Sequence, residues 1–312
     1  MSIWVDANGW PVPPEVLLAC LVAEVVYFRG WERIVRNARA REAARARIPS
    51  FAGAAGVYQR SIWLWRGLFF SVALLTLLVA SSTPIDILSS RLLWVHMIQH
   101  LLLLGVIAPL LVASAPAIPL WLGLPGRVHK LFKRCVSVKI RRGLYRVVGW
   151  LRQPALSCVL LVVGTWIWHW PALYDLALTN AAIHDWCEHT TFLAVSILFW
   201  TQVIPSPPLR ARAGYPGRIG CVGVAIVQNV VLAVLIGFAQ TPLYAPYIHQ
   251  ATGAGVFAAL QDQHLGAGIM WTFGDLPFGI AFAALVHRWL GSVMDDPETL
   301  AVGGRQSAST RI

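Results

Sequence analysis

Seven apolar runs, most of them near the length a helix needs to cross a lipid bilayer, dominate this sequence. They extend from Pro14 to Phe28, Ile62 to Ala80, Leu92 to Ala113, Ala155 to Trp170, His184 to Ile204, Ile219 to Ala239 and His264 to Leu290. A hydrocarbon core of about 30 Å takes roughly 20 helical residues. Inside lipid every backbone N–H and C=O needs a partner within the protein, and a single run of this kind meets that need as a helix. The expected fold is therefore all-α: a polytopic transmembrane helical bundle of about seven spans over residues 14–290. Pro277, inside the last run, should kink or break its helix. The charged fraction agrees, at 12% of 312 residues, against roughly 25% in soluble domains.

The basic residues set the orientation. Arg29 to Arg66 contains nine Arg, and Arg127 to Arg152 contains nine Lys or Arg. Arg210, Arg212 and Arg218 follow in the next alternate loop, and Arg288, Arg305 and Arg311 follow the last run. With the spans drawn as above, 24 of the 25 basic residues fall on one side, and only Arg91 falls opposite. The positive-inside rule then puts the N-terminus outside and the C-terminus in the cytoplasm. Residues 1–13 become an outer segment, about 29–61 and 114–154 become cytoplasmic basic loops, and 291–312 become a polar tail expected to be disordered. The Arg- and Ala-rich stretch Arg29–Arg47 reads equally as an amphipathic surface helix or a solvated loop. A formal charge of +11 suggests anionic lipid headgroups rather than nucleic acid, because the charge sits between spans. Met1 to Gly9 lacks a basic n-region, so a cleaved signal peptide is not expected. The five cysteines include no Cys-x-x-Cys and imply no disulfide framework.

Seven of the nine histidines map to the outer side: His96, His100, His169, His184, His189, His249 and His264. Lone histidines at helix ends are usually interfacial; the collective pattern is what points to a metal or cofactor. His100 should lie about 12 Å into its span by helix rise, where an unpaired polar group is costly. It must face the bundle interior or a wet cavity. His96 and His100 are one turn apart on one helix face and can ligate one ion. His184 and His189, at 100° per residue, point about 140° apart. They should not share an ion unless the helix is distorted. Asp185 and Glu188 are placed to orient a ligating imidazole through its other N–H. Asp262 and His264 stand at the mouth of the last span, and Asp275 lies about 16 Å deeper by helix rise, a functional candidate by its position.

Imidazole suits copper, iron and zinc, and sulfur ligands are scarce on the outer side. A haem held between His100 and a histidine of another helix is the alternative. Nucleophilic triads and phosphate-binding loops are not seen, so no catalytic residue is assigned and an enzyme is not expected.

Four ordered blocks resemble a known family. The first is His96-Met-Ile-Gln-His100-Leu-Leu-Leu-Leu, followed by Ala108-Pro109-Leu-Leu and Ala115-Pro116. The second is Trp168-His169-Trp-Pro171-Ala-Leu-Tyr174-Asp175. The third is His184 with Glu188-His189, then Phe192-Leu and Phe199-Trp200. The fourth is Asp262-Gln263-His264-Leu-Gly266 with Met270-Trp271. Together they resemble the integral-membrane CtaG family of cytochrome c oxidase assembly factors. The resemblance implies a multi-pass protein of the bacterial inner membrane that matures the copper centres of a haem–copper oxidase. Its implied partners are oxidase subunits and a periplasmic copper chaperone; a metal-free scaffold for those subunits is a further alternative. The resemblance carries over His96, His100, His169, His184 and His189 as candidate ligands. Two departures stand out. The family commonly has Gln at position 264, and a Pro-Gly-Gly turn where this chain has Phe273-Gly274-Asp275-Leu-Pro277.

Overall fold

The structure, a computed structural model, describes residues 12–45, 55–209, 211–250 and 255–294. Most of those residues are helical, with no strand among them beyond an isolated bridge between Ser206 and Leu209. In chain order the helices are α1 (Pro14–Arg45), α2 (Ala55–Ala80), α3 (Thr83–Ser89), α4 (Leu93–Leu101), α5 (Ala108–Ala113), α6 (Ala117–Gly123), α7 (Gly126–Cys135), α8 (Val138–Leu151), α9 (Pro154–Trp168), α10 (Pro171–Thr179), α11 (His189–Val203), α12 (Tyr215–Gly237), α13 (Ala245–Gln250), α14 (Gly255–Ile269) and α15 (Asp275–Met294). Three π-helical turns join some of them end to end. Leu102–Ile107 links α4 to α5, Ile183–Glu188 leads into α11, and Met270–Gly274 links α14 to α15.

Every one of the seven apolar runs is helical, but they differ in reach. Leu93–Ala113, Tyr215–Gly237 and Val256–Met294 are each long and apolar enough to cross a membrane. Helices α8 and α9 pass the same test only as a pair, bent by 75°. Two further apolar helices are shorter, Leu64–Ala80 at the end of α2 and α11 with 15 residues, which rises only about 22 Å, and the first run is the N-terminal part of the 32-residue α1. The stretch read as an amphipathic helix or a loop continues α1 as one helix to Arg45, and 46–54 lies outside the described residues. The span of 114–154 read as a loop carries α6, α7 and α8. Of the tail, residues 291–294 extend α15, and 295–312 lie outside the described residues.

Local chemistry explains the breaks. Pro154 cannot continue α8, but its fixed φ suits the first turn of α9. The corner before it is clamped by α11: Arg152 Nε donates to Thr201 Oγ1 at 3.2 Å, and Gln202 Nε2 donates to the Arg152 carbonyl at 3.0 Å. Helices α1 and α6 cross closely because two glycines meet there. A Cβ on Gly30 would lie 1.8 Å from the Pro119 carbonyl oxygen, and one on Gly123 would lie 1.7 Å from that of Val26. Small residues permit such approach where no hydrophobic force drives helices together. Arg33 from α1 donates to the Leu122 carbonyl across the same crossing.

Three apolar clusters result among the described residues, the smallest joining Ala80 at the end of α2 to Leu103 and Ile107. Of the two larger, one is built on α5, α9, α11, α12 and α15 around Phe199, Trp200 and Phe278. The other is built on α4, α10, α12, α13 and α14 around Met97, Tyr174 and Tyr247. The polar centre forms where α4, α9, α10 and the turn before α11 meet.

Candidate metal centre

His96 and His100 lie on the buried face of α4, 0% and 2% exposed. Their Nε2 atoms are 2.9 Å apart. Two imidazoles bound tetrahedrally to one ion would hold their nitrogens about 3.3 Å apart, so this pair is close to a ligating geometry. Helix α4 is anchored from α14: Asp262 accepts from the backbone N–H groups of Leu93 at 2.7 Å and Trp94 at 3.3 Å. This supplies the carboxylate that a helix N-terminus favours.

The tautomer of His96 follows from its neighbours. Tyr247 donates its hydroxyl proton to the Ser89 carbonyl at 2.9 Å and lies 3.2 Å from His96 Nδ1. With that proton committed, His96 Nδ1–H donates to Tyr247, and the Nε2 lone pair is left facing His100. Tyr174 reaches the same phenol oxygen at 3.1 Å. His169, at the end of α9, donates Nδ1–H to the Thr165 carbonyl at 2.7 Å. Its Nε2 therefore carries a lone pair, and its ring lies 6.3 Å from that of His100.

The expected separation of His184 from His189 does not hold. Residues 183–188 form a π turn, in which the His189 N–H bonds the His184 carbonyl. That i→i+5 pattern stacks residues five apart, and the two rings approach to 4.2 Å. The same turn redirects Glu188. Expected to orient a ligand from outside, its fully buried carboxylate instead sits among the nitrogens. Glu188 Oε1 is 3.5 Å from His100 Nε2 and 3.9 Å from His96 Nε2, too far for hydrogen bonds. Asp185 does take the orienting position, 3.0 Å from His184 Nδ1. Asp86, at the other side of that nitrogen, is 4.0 Å away. Burial pushes the Asp86 carboxyl above the usual carboxylate range, and the neighbouring His184 opposes that shift.

Four of the candidate histidines thus meet, and His169 lies at their edge beside His100. His169 Nε2, His184 Nε2, His189 Nε2 and both Glu188 oxygens are buried with no hydrogen-bond partner. Buried polar atoms are nearly always paired, and leaving one bare costs about 1–3 kcal/mol. With Nδ1 of His184 engaged at Asp185, its Nε2 carries a lone pair, and together with the bare Glu188 carboxylate it makes an electron-rich site suited to a cation. His96, His100, His184 and Glu188 each offer one atom within 4.8 Å of the others, and so do His184, Asp185 and His189. A porphyrin does not fit beside His100, whose Nε2 already faces His96 and Glu188 at these distances.

Other expected site residues lie elsewhere. The His264 side chain is exposed. Its neighbour Gln263 is the buried member of that block and ties the Leu243 N–H to the Ile236 carbonyl. Asp275 has Asn229 as its partner, at 3.0 Å, and Asn229 also donates to the Met270 carbonyl in the third π turn. His129 bonds the Trp121 carbonyl, and the side chain of His249 lies outside the described residues. Three participants escape the sequence reading. Gln99 had a signal, as an amide between two histidines in an apolar run, and Asp86 stands just before that run. Tyr247 had none, because only the chain's return through α13 brings it to His96.

The fold and the centre together define an all-helical membrane protein with a buried imidazole–carboxylate site suited to a metal ion. The chain belongs to the Caa3_CtaG family: the family model described as cytochrome c oxidase caa3 assembly factor matches residues 25–292. It is also similar to uncharacterised proteins of Mycobacterium bovis and Mycobacterium tuberculosis, each 28% identical over 144 residues. A protein of Mycobacterium leprae is 23% identical over 143 residues. In each case the match covers 46% of this chain and 22% of the relative's length, so the chain spans only about a fifth of those relatives. No solved structure matches it.

Proposed function

We propose that the protein is a non-enzymatic copper-handling assembly factor for a haem–copper cytochrome c oxidase. It holds copper at the outer side of the bacterial inner membrane and supports maturation of the oxidase copper centres. The observation that carries this reading is the buried cluster of His96, His100, His184 and Glu188, overlapped at His184 by a second group with Asp185 and His189, in which both Glu188 oxygens and His184 Nε2 have no hydrogen-bond partner. The donor set of nitrogen and oxygen without sulfur favours a borderline ion such as Cu(II) over a thiolate-bound Cu(I). Copper is chosen within that class because the family's client is an oxidase. The seven-span topology with the N-terminus outside belongs to the same reading: it turns the histidine end outward and the basic helices α7 and α8 toward the cytoplasm. Oxidase subunits are the partners, and a periplasmic copper chaperone is the donor.

Metal analysis of the purified chain tests it. About one copper per chain is expected in wild type, with loss in His100→Ala and at least tenfold weaker binding in Glu188→Gln. A deletion strain is expected to make oxidase deficient in copper. Metal-free wild-type protein together with fully metallated oxidase in that strain would overturn the proposal.

A further inference from the structure

The two overlapping ligand groups share His184 and differ in depth. Side-chain exposure falls from 49% at Asp185 and 30% at Asp86 to 9% at His184 and 0% at Glu188. Outside them lies a cleft of about 420 Å³ between α1, α2 and the first turns of 183–203, and His189 lines it. Its lining changes character along each of four elements. Glu15 gives way to Ala23 along α1, Ser81 just past α2 to Leu74 within it, Gln99 on α4 to Leu103 in the π turn after it, and Asp185 in the π turn before α11 to Leu193 on α11. The polar members all lie toward the histidine end. Three carboxylates stand there, Glu15, Asp86 and Asp185, in a chain whose formal charge is +11. Gln99 Oε1 and His189 Nε2 are unpartnered polar atoms of cleft-lining residues, and Gln99 is 1% exposed.

We infer that the polar end of this cleft is a port for a divalent cation, and that His184 passes the ion inward by ligand exchange. The inference rests on the metal-handling reading above. The carboxylates attract the ion, as like-signed groups lining a low-dielectric cleft concentrate counter-ions. Asp185, His189 and His184 bind it first. Asp185 and His189 are then replaced by Glu188 and the α4 histidines, while His184 stays bound. The ion is never stripped bare in an apolar interior, which would cost far more than any single ligand contributes. No electron moves, and His100 shifts its proton from Nε2, where it meets His96, to the unpartnered Nδ1, which frees the lone pair that takes the ion.

Cobalt(II) is a suitable probe, because its visible band reports imidazole ligation. The full chain is placed in nanodiscs of zwitterionic lipid, and cobalt uptake is followed by stopped flow. The double variant Glu15→Gln/Asp86→Asn is expected to load about tenfold slower and to lose most of the salt dependence of loading. Ser81→Trp, which blocks the mouth without touching a ligand, is expected to load slowly but reach the wild-type band. No band in wild type would overturn both the port and the metal centre. A wild-type band with unaltered loading in both variants would overturn the port and leave the centre standing. Loading that responds only to Ala23→Phe, in the apolar half, would assign the cleft to a lipid chain and also overturn the port.

Discussion

At the residue scale, the centre depends on protons being held in place. Tyr247 does this for His96. It lies 4% exposed and shares its oxygen with Ser89, His96 and Tyr174. Tyr247→Phe removes that oxygen, leaving the Ser89 carbonyl and His96 Nδ1–H without it. The expected result is a stability loss of about 1–3 kcal/mol and metal affinity weaker by about 10–100-fold. Competition against a chelator reads the second effect, and thermal unfolding in detergent reads the first. The histidines themselves were legible in the sequence, since apolar runs leave few places where an imidazole can be tolerated. The role of Glu188 was not. Its distance from His100 depends on a turn that helix periodicity does not encode.

At the element scale, π turns shape the interior. In an α4–α5 helix of regular geometry the Pro109 ring would leave a carbonyl bare, because proline has no N–H to donate. The π turn moves that deficit to Leu104, five residues back. There Ser196 Oγ and Trp200 Nε1 both donate to the carbonyl at 2.8 Å. The arrangement also binds α11 to the π turn that follows α4 and so ties the two histidine-bearing elements together. Either donor can serve alone. Ser196→Ala or Trp200→Leu should therefore keep the carbonyl satisfied, whereas the double variant leaves it bare. A double-mutant cycle is expected to show a coupling of about 1–3 kcal/mol. Additive losses would mean that the two bonds are independent. Pro277 announced a disturbed helix in the sequence, whereas Pro109 stood there only as part of the first family-like block. Nothing in a single helix disclosed that the repair comes from a neighbour.

At the scale of the whole molecule, charge separates the two ends. The histidine end carries Asp86, Asp185 and Asp262, and the opposite end carries the basic helices α7 and α8 with Arg152, Arg212 and Arg218. Two exposed cysteines mark these ends: Cys187 in the π turn before α11, and Cys135 at the close of α7. In intact spheroplasts a membrane-impermeant maleimide is expected to label Cys187 and to spare Cys135 until the membrane is opened. Labelling of Cys135 alone would invert the orientation. The bundle also accounts for the reach of its shorter helices. Helix α9 falls short of a full crossing and is continued by the bent α8, while α11 is preceded by a π turn that carries two of the ligands.

The sequence by itself determined that the chain is helical, which runs are apolar, and that histidines gather toward one end. Each of these follows from local constraints: backbone hydrogen bonding, residue type and spacing along one helix. Only the tertiary structure decided that the rings of His184 and His189 approach each other, that Glu188 stands among the histidine nitrogens while His264 is exposed, and that a carboxylate-lined cleft lies beside them. These depend on how one helix is wound against another. A π turn shifts the register of every side chain beyond it, and in the Leu102–Ile107 turn the Leu104 carbonyl is satisfied by Ser196 and Trp200, more than ninety positions along the chain.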